Sequence, residues 1–326
     1  MKKVFEKNVI FILDLKINLE IEKKFVNIQK LLNLFQKKRR KTKLKGNKLK
    51  SKLKIIIKKA NKRFAKISKN KKVLTITGNN IDDLSNPFNL IGVLQALFRF
   101  IGLHSIKNNF FLLHGSAAIF NNKAVCFADD GLSTGKTLSS VETASTSKKY
   151  IGDEFCFLDQ NGLISSYPFI PIHIRLDVAN YFKKNSEINN SIKKSNKTKA
   201  GYFINPKDNF EIIKSKKLSA FIFVHFDKRK KPSFKKLNKY ESRQAVSNCV
   251  LSHMVKLFNP RMDRMRFSEE KDLTKRVNYN KKTFDSIKTT LKLNGSIENI
   301  VKQTTCYRFY ISSPKDIVKF LKKIEL

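Results

Sequence analysis

Apolar and polar positions alternate through "VIFILDLKINLEIE", residues 9 to 22, and that period of two predicts a strand or a hairpin. At "FVNIQKLLNLFQ" (25 to 36) the spacing changes to threes and fours, the mark of an amphipathic helix. "KVLTITG" (72 to 78) reads as a strand and "NNIDDLSN" after it as a polar loop. "PFNLIGVLQALFRFIGLHS" (87 to 105) opens with proline at a first-turn position and carries a broad apolar stripe, which predicts a packed helix; Gln95 and Arg99 inside it exclude a lipid span. "FFLLHGSAAIF", the turn "NNK" and "AVCFA" predict two strands up to Ala128. "KTLSSVETAS" then opens a helix, and "KYIGDEFCFLD" (149 to 159) reads as a further buried strand. Strands are expected at 168 to 176, 218 to 226 and 304 to 312. A polar, lysine-rich loop is expected at 183 to 200, a helix at 241 to 258, and a closing helix after Pro314. No internal repeat is visible.

The chain of 326 residues, 41% hydrophobic, is long enough to bury a sizeable core. Its elements divide it into an N-terminal strand and helix region, 1 to 84, and an α/β domain, 85 to 326. The net charge of +42 and the pI of about 10.1 suit a nucleic-acid or anionic-surface partner. Lysine, asparagine and isoleucine abound along the whole chain, as drift in an AT-rich genome also produces. The charge is densest at 37 to 72, where about half the residues are Lys or Arg, with Leu44, Leu49, Leu53, Ile56 and Ile57 among them. This segment reads as a solvated basic helix or a charged arm, and is the place where an acidic partner or a nucleic acid would bind. Cys126, Cys156, Cys249 and Cys306 lie far apart, which argues against a zinc cluster or a disulfide scaffold and for free, mostly buried thiols. No run approaches the apolar length of a membrane span, and the basic N-terminus leads to no small-residue cleavage site, so the expected location is the cytoplasm.

The sharpest chemical signal is "ADDGLSTGKTLSS", 128 to 140. A phosphate loop reads Gly, four residues, Gly-Lys-Ser/Thr, and here Asp130 stands where the first glycine belongs. In such a loop successive backbone N–H groups, at the positive end of the following helix, cradle a polyphosphate. The lysine reaches the terminal phosphates, and the next hydroxyl meets Mg²⁺. Lys136 and Thr137 would fill those roles, with Gly131, Leu132, Ser133, Thr134 and Gly135 forming the cradle. A carboxylate beside phosphates is electrostatically awkward, and is tolerable if Asp130 still belongs to the strand end and faces away. Asp153 and Glu154, on the next strand, supply the acids that would hold Mg²⁺ or polarise an acceptor. The bland alternative for them is a strand-end acidic pair capping a turn.

Together "LHGSAAIFNNKAVCFADDGLSTGKTLSS" and "KKYIGDEF" resemble the P-loop kinases that group HPr kinase/phosphorylase with phosphoenolpyruvate carboxykinase. The carboxykinase loop GLSGTGKT is similar to Gly131–Thr137, which lacks one glycine. The resemblance covers roughly residues 85 to 160. It implies a P-loop kinase core with a mixed β-sheet and flanking helices, and ATP with Mg²⁺ or Mn²⁺ as cofactors. It places His114 at the active centre, as a metal ligand in one branch and beside the reacting phosphate in the other. It makes Asp153 a metal-binding or catalytic acid with Glu154 as its neighbour, and Arg175 a phosphate or transition-state contact. Three departures stand out: Asp130, His173 where the family often has glutamate two residues before the arginine, and Leu138 where the HPr kinase loop has an acid.

The expectation is therefore an ATP-dependent phosphotransferase acting on a protein serine or a small-molecule hydroxyl. The alternative is a nucleotide-binding regulatory or nucleic-acid-associated protein whose altered loop binds without transferring phosphate. Hexamers are known among HPr kinases, which leaves a homo-oligomer open, and no interface signature is legible.

Overall fold

The structure is a computed structural model of the 326-residue chain. It describes residues 5–326 apart from 13–14, 37–52, 62–63, 69, 71, 107–109, 129, 131–134, 160, 168–169, 186–187, 196, 199–200 and 259–293. The chain forms two compact units, one within Met1–Asn108 and Lys256–Asn278, the other within Asn109–Val255 and Tyr279–Leu326.

The first unit holds β1 (Phe5–Ile12), β2 (Leu15–Glu22), α1 (Val26–Gln36), β3 (Leu53–Lys58), β4 (Phe64–Ile67), β5 (Val73–Thr77) and α2 (Pro87–Ser105). β1 and β2 are the hairpin the alternation predicts, and the five strands form one sheet in the order β1-β2-β3-β5-β4. β2 and β3 are parallel, as are β3 and β5, while β4 is antiparallel to β5. Ile17, Leu19 and Ile21 of β2, Ile55 and Ile57 of β3, and Leu74 and Ile76 of β5 are buried, as are Ile28, Leu31 and Leu32 of α1. Alternate residues are buried because a strand sends them to one face, the other face keeping the polar set. Asp82, in the predicted polar loop, accepts the Asn27 and Ile28 amides at 3.2 and 2.8 Å, which supplies α1 with the acceptor its first turn needs.

Residues 53 to 67 correct the reading of the lysine-rich segment. They are neither helix nor arm: β3 is an interior strand of the sheet and β4 its edge. Lys54 and Lys58 bracket the three isoleucines of β3, and Lys54 pairs with Glu20 across the β2–β3 ladder at 2.8 Å. Residues 37 to 52 lie outside the described residues. Among the described residues no helix is long and apolar enough to cross a membrane. In α2, Arg99 is buried with its guanidinium 3.3 Å from Gln95.

The second unit is mixed α/β. Its elements are β6 (Phe111–Phe120), β7 (Lys123–Ala128), α3 (Lys136–Ser147), β8 (Lys149–Gly152), β9 (Phe155–Leu158), β10 (Leu163–Ser165), β11 (Ile172–Arg175), α4 (Leu176–Asn185), α5 (Asn189–Lys194), β12 (Gly201–Ile204), β13 (Glu211–Ile212), β14 (Ser215–Phe226), β15 (Ser233–Lys236), α6 (Lys239–Phe258), α7 (Asn294–Gln303), β16 (Thr305–Ile311) and α8 (Lys315–Lys323). Nine strands form a mixed sheet, with β11 and β12 as a separate pair. Val125 and Phe127 of β7 and Ile222 and Val224 of β14 pack with Ile317, Phe320 and Leu321 of α8. Leu138, Val141 and Ala144 of α3 pack with Tyr150, Ile172, Ile174 and Phe182.

Two expectations give way here. The lysine-rich stretch 183 to 200 is not wholly loop: α4 runs to Asn185, and α5 follows because Ile188 and Ile192, four apart, bury against the same cluster. Of the strand expected at 168 to 176, residues 168 and 169 lie outside the described residues, and among the rest only β11 is strand.

Sheet register prepares one edge for chemistry. β8, β6, β7, β14 and β16 lie side by side; β7, β14 and β16 are parallel, and β6 runs against both β7 and β8. Gly115 pairs with Ala128, Ala117 with Gly152, and Phe223 with both Ala128 and Arg308. The ends of β7 and β8, His114 on β6, and Arg308 on β16 therefore meet at one edge of the sheet.

Candidate active site

The predicted strand and helix on either side of the loop sequence are present as β7 and α3. Gly131, Leu132, Ser133 and Thr134 lie outside the described residues, whereas Asp130, Gly135, Lys136 and Thr137 are described. Gly135 caps α3 at φ 92°, ψ 13°, a left-handed conformation that glycine adopts without strain. A Cβ there would also stand 3.3 Å from the Phe226 Cβ. Lys136 and Thr137 open α3, so the lysine charge and the threonine hydroxyl sit at the positive end of the helix dipole.

The acidic pair corrects the sequence reading. Residues 149 to 159 are not one strand: β8 ends at Gly152 and β9 starts at Phe155, with Asp153 and Glu154 in the corner between them. The Phe155 amide donates to the Asp153 carbonyl at 2.6 Å, closing a tight turn, and Glu154 takes φ 60°. A left-handed non-glycine residue costs roughly 1–2 kcal/mol, and such strain gathers at functional positions. The corner also explains Gly152, where a Cβ would fall 2.2 Å from the Cβ and Oγ of Ser166, whose hydroxyl donates to the Phe155 carbonyl at 2.8 Å. Gly152→Ala should therefore displace Ser166 and cost roughly 1–3 kcal/mol, the usual penalty for overpacking. Urea unfolding checks this: an unchanged midpoint would show that the corner is not held as tightly as its geometry indicates.

The corner brings the candidate residues into two linked pairs. The Thr137 hydroxyl lies 3.0 Å from each Asp153 carboxylate oxygen, joining the start of α3 to the end of β8. His114 Nε2 lies 3.5 Å from Glu154 Oε2. Asp153 is buried. Burial and, next, the Glu154 charge push its carboxyl from 3.8 up to about 6, against the opposing pull of Thr137, the Glu154 amide and Lys136. A carboxyl near 6, beside a cation and a hydroxyl, suits a group that holds a cation or accepts a proton near neutrality.

Asp130 also differs from expectation. β7 ends at Ala128, so Asp130 lies beyond the strand, not within it. Its carboxylate is nonetheless committed: Oδ2 accepts from Arg308 Nη2 at 2.8 Å and lies 3.8 Å from His225 Nε2, and its carbonyl accepts from Asn248 Nδ2 at 3.2 Å. These three partners come from β16, β14 and α6. They were missed because each stands in an ordinary strand or helix pattern, and only the pairing of Phe223 with both Ala128 and Arg308 brings Arg308 level with the end of β7.

Arg175 does not join the other candidates in any described contact. Its side chain is 70% exposed and donates to Asp177 at 3.0 Å. His173, on the same short strand, stacks on Phe203 with ring centroids 4.6 Å apart. All four cysteines are free and buried. Burial pushes the Cys126 and Cys156 thiols well above their usual range, which suits packing rather than nucleophilic chemistry. Among the described residues no three His, Cys, Asp or Glu side chains converge to hold a metal by themselves. No protein-family model matches the chain and no curated protein does either, so the site is read from its own residues.

Proposed function

We propose that the chain is an ATP-dependent phosphotransferase, similar to HPr kinase, that moves the γ-phosphate of ATP to a hydroxyl on a protein serine or a small molecule. The observation that carries this reading is the bond between Thr137, directly after Lys136 at the start of α3, and the buried Asp153. A glycine cap, a lysine, a hydroxyl and a carboxylate gathered at one sheet edge are the groups phosphoryl transfer uses, since its catalysis is mostly positioning and charge neutralisation.

Within this reading the Lys136 ammonium neutralises the phosphate oxygens, and the α3 amides bind them. Thr137 and Asp153 fit Mg²⁺ or Mn²⁺ as a pair of adjacent oxygen donors. Two such donors suit an ion that arrives on its nucleotide, because Mg²⁺ usually takes one or two carboxylates and fills its shell with phosphate and water. Bound there, the ion supplies charge neutralisation of the transferring group. Asp153 can take up the acceptor hydroxyl's proton, and the His114–Glu154 pair lies next to it on the same edge.

Calorimetric titration of MgATP tests the binding half. We expect saturable, Mg²⁺-dependent binding that Thr137→Val weakens about ten- to hundredfold, the usual worth of a hydrogen bond to a charged group. Absence of binding by folded wild-type protein would remove the reading. The position of Arg175, exposed and bonded to Asp177, favours a second reading: a nucleotide-binding regulatory protein with no transfer. Transfer of the γ-phosphate of bound MgATP to an added hydroxyl acceptor separates the two, because a regulatory nucleotide-binding protein hands its phosphoryl group to no acceptor but water.

A further inference from the structure

Asp130 occupies the place where a phosphate loop has its first glycine, a few residues from Lys136. Its side chain is 5% exposed and is held by Arg308 from β16, with His225 of β14 close to the same oxygen and Asn248 of α6 on its carbonyl. Two strands thus meet the Asp130 carboxylate, and α6 holds the backbone that carries it. A lone carboxylate here would repel every phosphate entering the loop, and the low dielectric of a buried site would make that repulsion strong. Beside the Arg308 guanidinium it presents a neutral pair. The register makes this pairing specific, since Arg308 is level with Ala128 across β14.

We infer that Arg308 is a positioning residue of the nucleotide site: it neutralises and pins Asp130, so that a loop with a carboxylate in place of its first glycine accepts a polyphosphate. The aspartate and the arginine that neutralises it stand 178 residues apart in the chain. This inference rests on the phosphotransferase reading.

The test compares MgATP and AMP binding by calorimetry in wild type, Arg308→Gln, Arg308→Lys, Asp130→Asn, and the double variant Asp130→Asn/Arg308→Gln, with a thermal melt of each. Arg308→Gln keeps an N–H donor for Asp130 and strands its charge, so MgATP affinity should fall about tenfold or more. AMP, with fewer charges, should lose much less. Asp130→Asn added to Arg308→Gln should return MgATP affinity to within about threefold of wild type, and Arg308→Lys, which keeps the charge, should stay within that range. A purely structural role would lower both ligands alike and would not be rescued by removing the carboxylate. If Arg308→Gln binds MgATP as wild type does, or the double variant stays weak, the inference is overturned while the phosphotransferase reading stands. If Arg308→Gln does not fold, Arg308→Lys decides: folded protein with tenfold weaker MgATP binding overturns the charge argument, and wild-type binding upholds it. If wild type itself binds no MgATP, both readings fall.

Discussion

Lys136→Ala should cut the release of inorganic phosphate from MgATP by roughly 10²–10³-fold, the cost of removing one preorganised charge-stabilising group from a phosphoryl or acyl transfer site. The structural cost should be small. Lys136 is the first residue of α3, alanine is the strongest helix former, and no intrahelical hydrogen bond depends on an amide so early in a helix. A loss of rate without a loss of melting temperature would therefore belong to the ammonium group. Two secondary effects separate charge from shape. Lys136→Arg should retain part of the activity, because the charge stays near the phosphates while its point geometry is lost. In Lys136→Ala the Asp153 carboxyl should climb further, since Lys136 is one of the groups holding it down. Near-normal phosphate release from Lys136→Ala would remove the phosphotransferase reading, and a wild type that binds MgATP without releasing phosphate would leave the regulatory one.

The strand and helix that flank Gly-Lys-Thr were legible because they are local. Gly135, Lys136 and Thr137 are consecutive, and the apolar run of β7 with the polar start of α3 sets strand before helix without reference to the rest of the chain. The Asp153–Thr137 contact was legible only as an expectation, because pattern shows a carboxylate downstream of the loop and not where the chain turns. The turn itself escaped the pattern. "YIGDEFCFL" is apolar on both sides of the acids, so one long strand and two short ones in different pairings look alike in hydrophobicity. What breaks the strand is the left-handed Glu154, next but one to a Gly152 that leaves room for Ser166, neither of which has a sequence signature. In the lysine-rich segment composition misled for a related reason. Ile55 and Ile57 bury in β3, while lysines flank the strand and the long stems of such residues leave their charges in water. Arg308 was invisible because its meaning depends on a register set by two parallel ladders, which are long-range pairings by nature.

Asp153→Asn should do two opposite things, and their combination identifies the role of this residue. Activity should fall by about 10²–10⁴-fold, the range that a positioned acid or base contributes, because asparagine neither accepts a proton nor carries the charge that a cation requires. Stability of the nucleotide-free protein should rise. Asp153 is buried, and its carboxyl is pushed from 3.8 up to about 6 in the fold. Between those values the native state binds more protons than the unfolded state, so the stability held below pH 4 is lost as pH rises through 6. By pH 7 the loss is fully in force and amounts to roughly 3 kcal/mol. Asparagine never ionises, and should therefore raise the melting temperature at pH 7 by several degrees while making little difference at pH 4. The kcat/KM profile of the wild type for phosphate release, which reports groups of the free protein, should show its acid limb near pH 6. A residue that merely accepted the Thr137 hydroxyl would behave differently. Its replacement by asparagine, which keeps an acceptor oxygen, would leave activity intact while the melting temperature at pH 7 rose all the same, because that rise follows from burial of the charge. A site that spends stability to keep a carboxylate charged in the interior does so for what that charge binds, and the pair of measurements, of activity and of melting temperature, decides whether Asp153 is such a group.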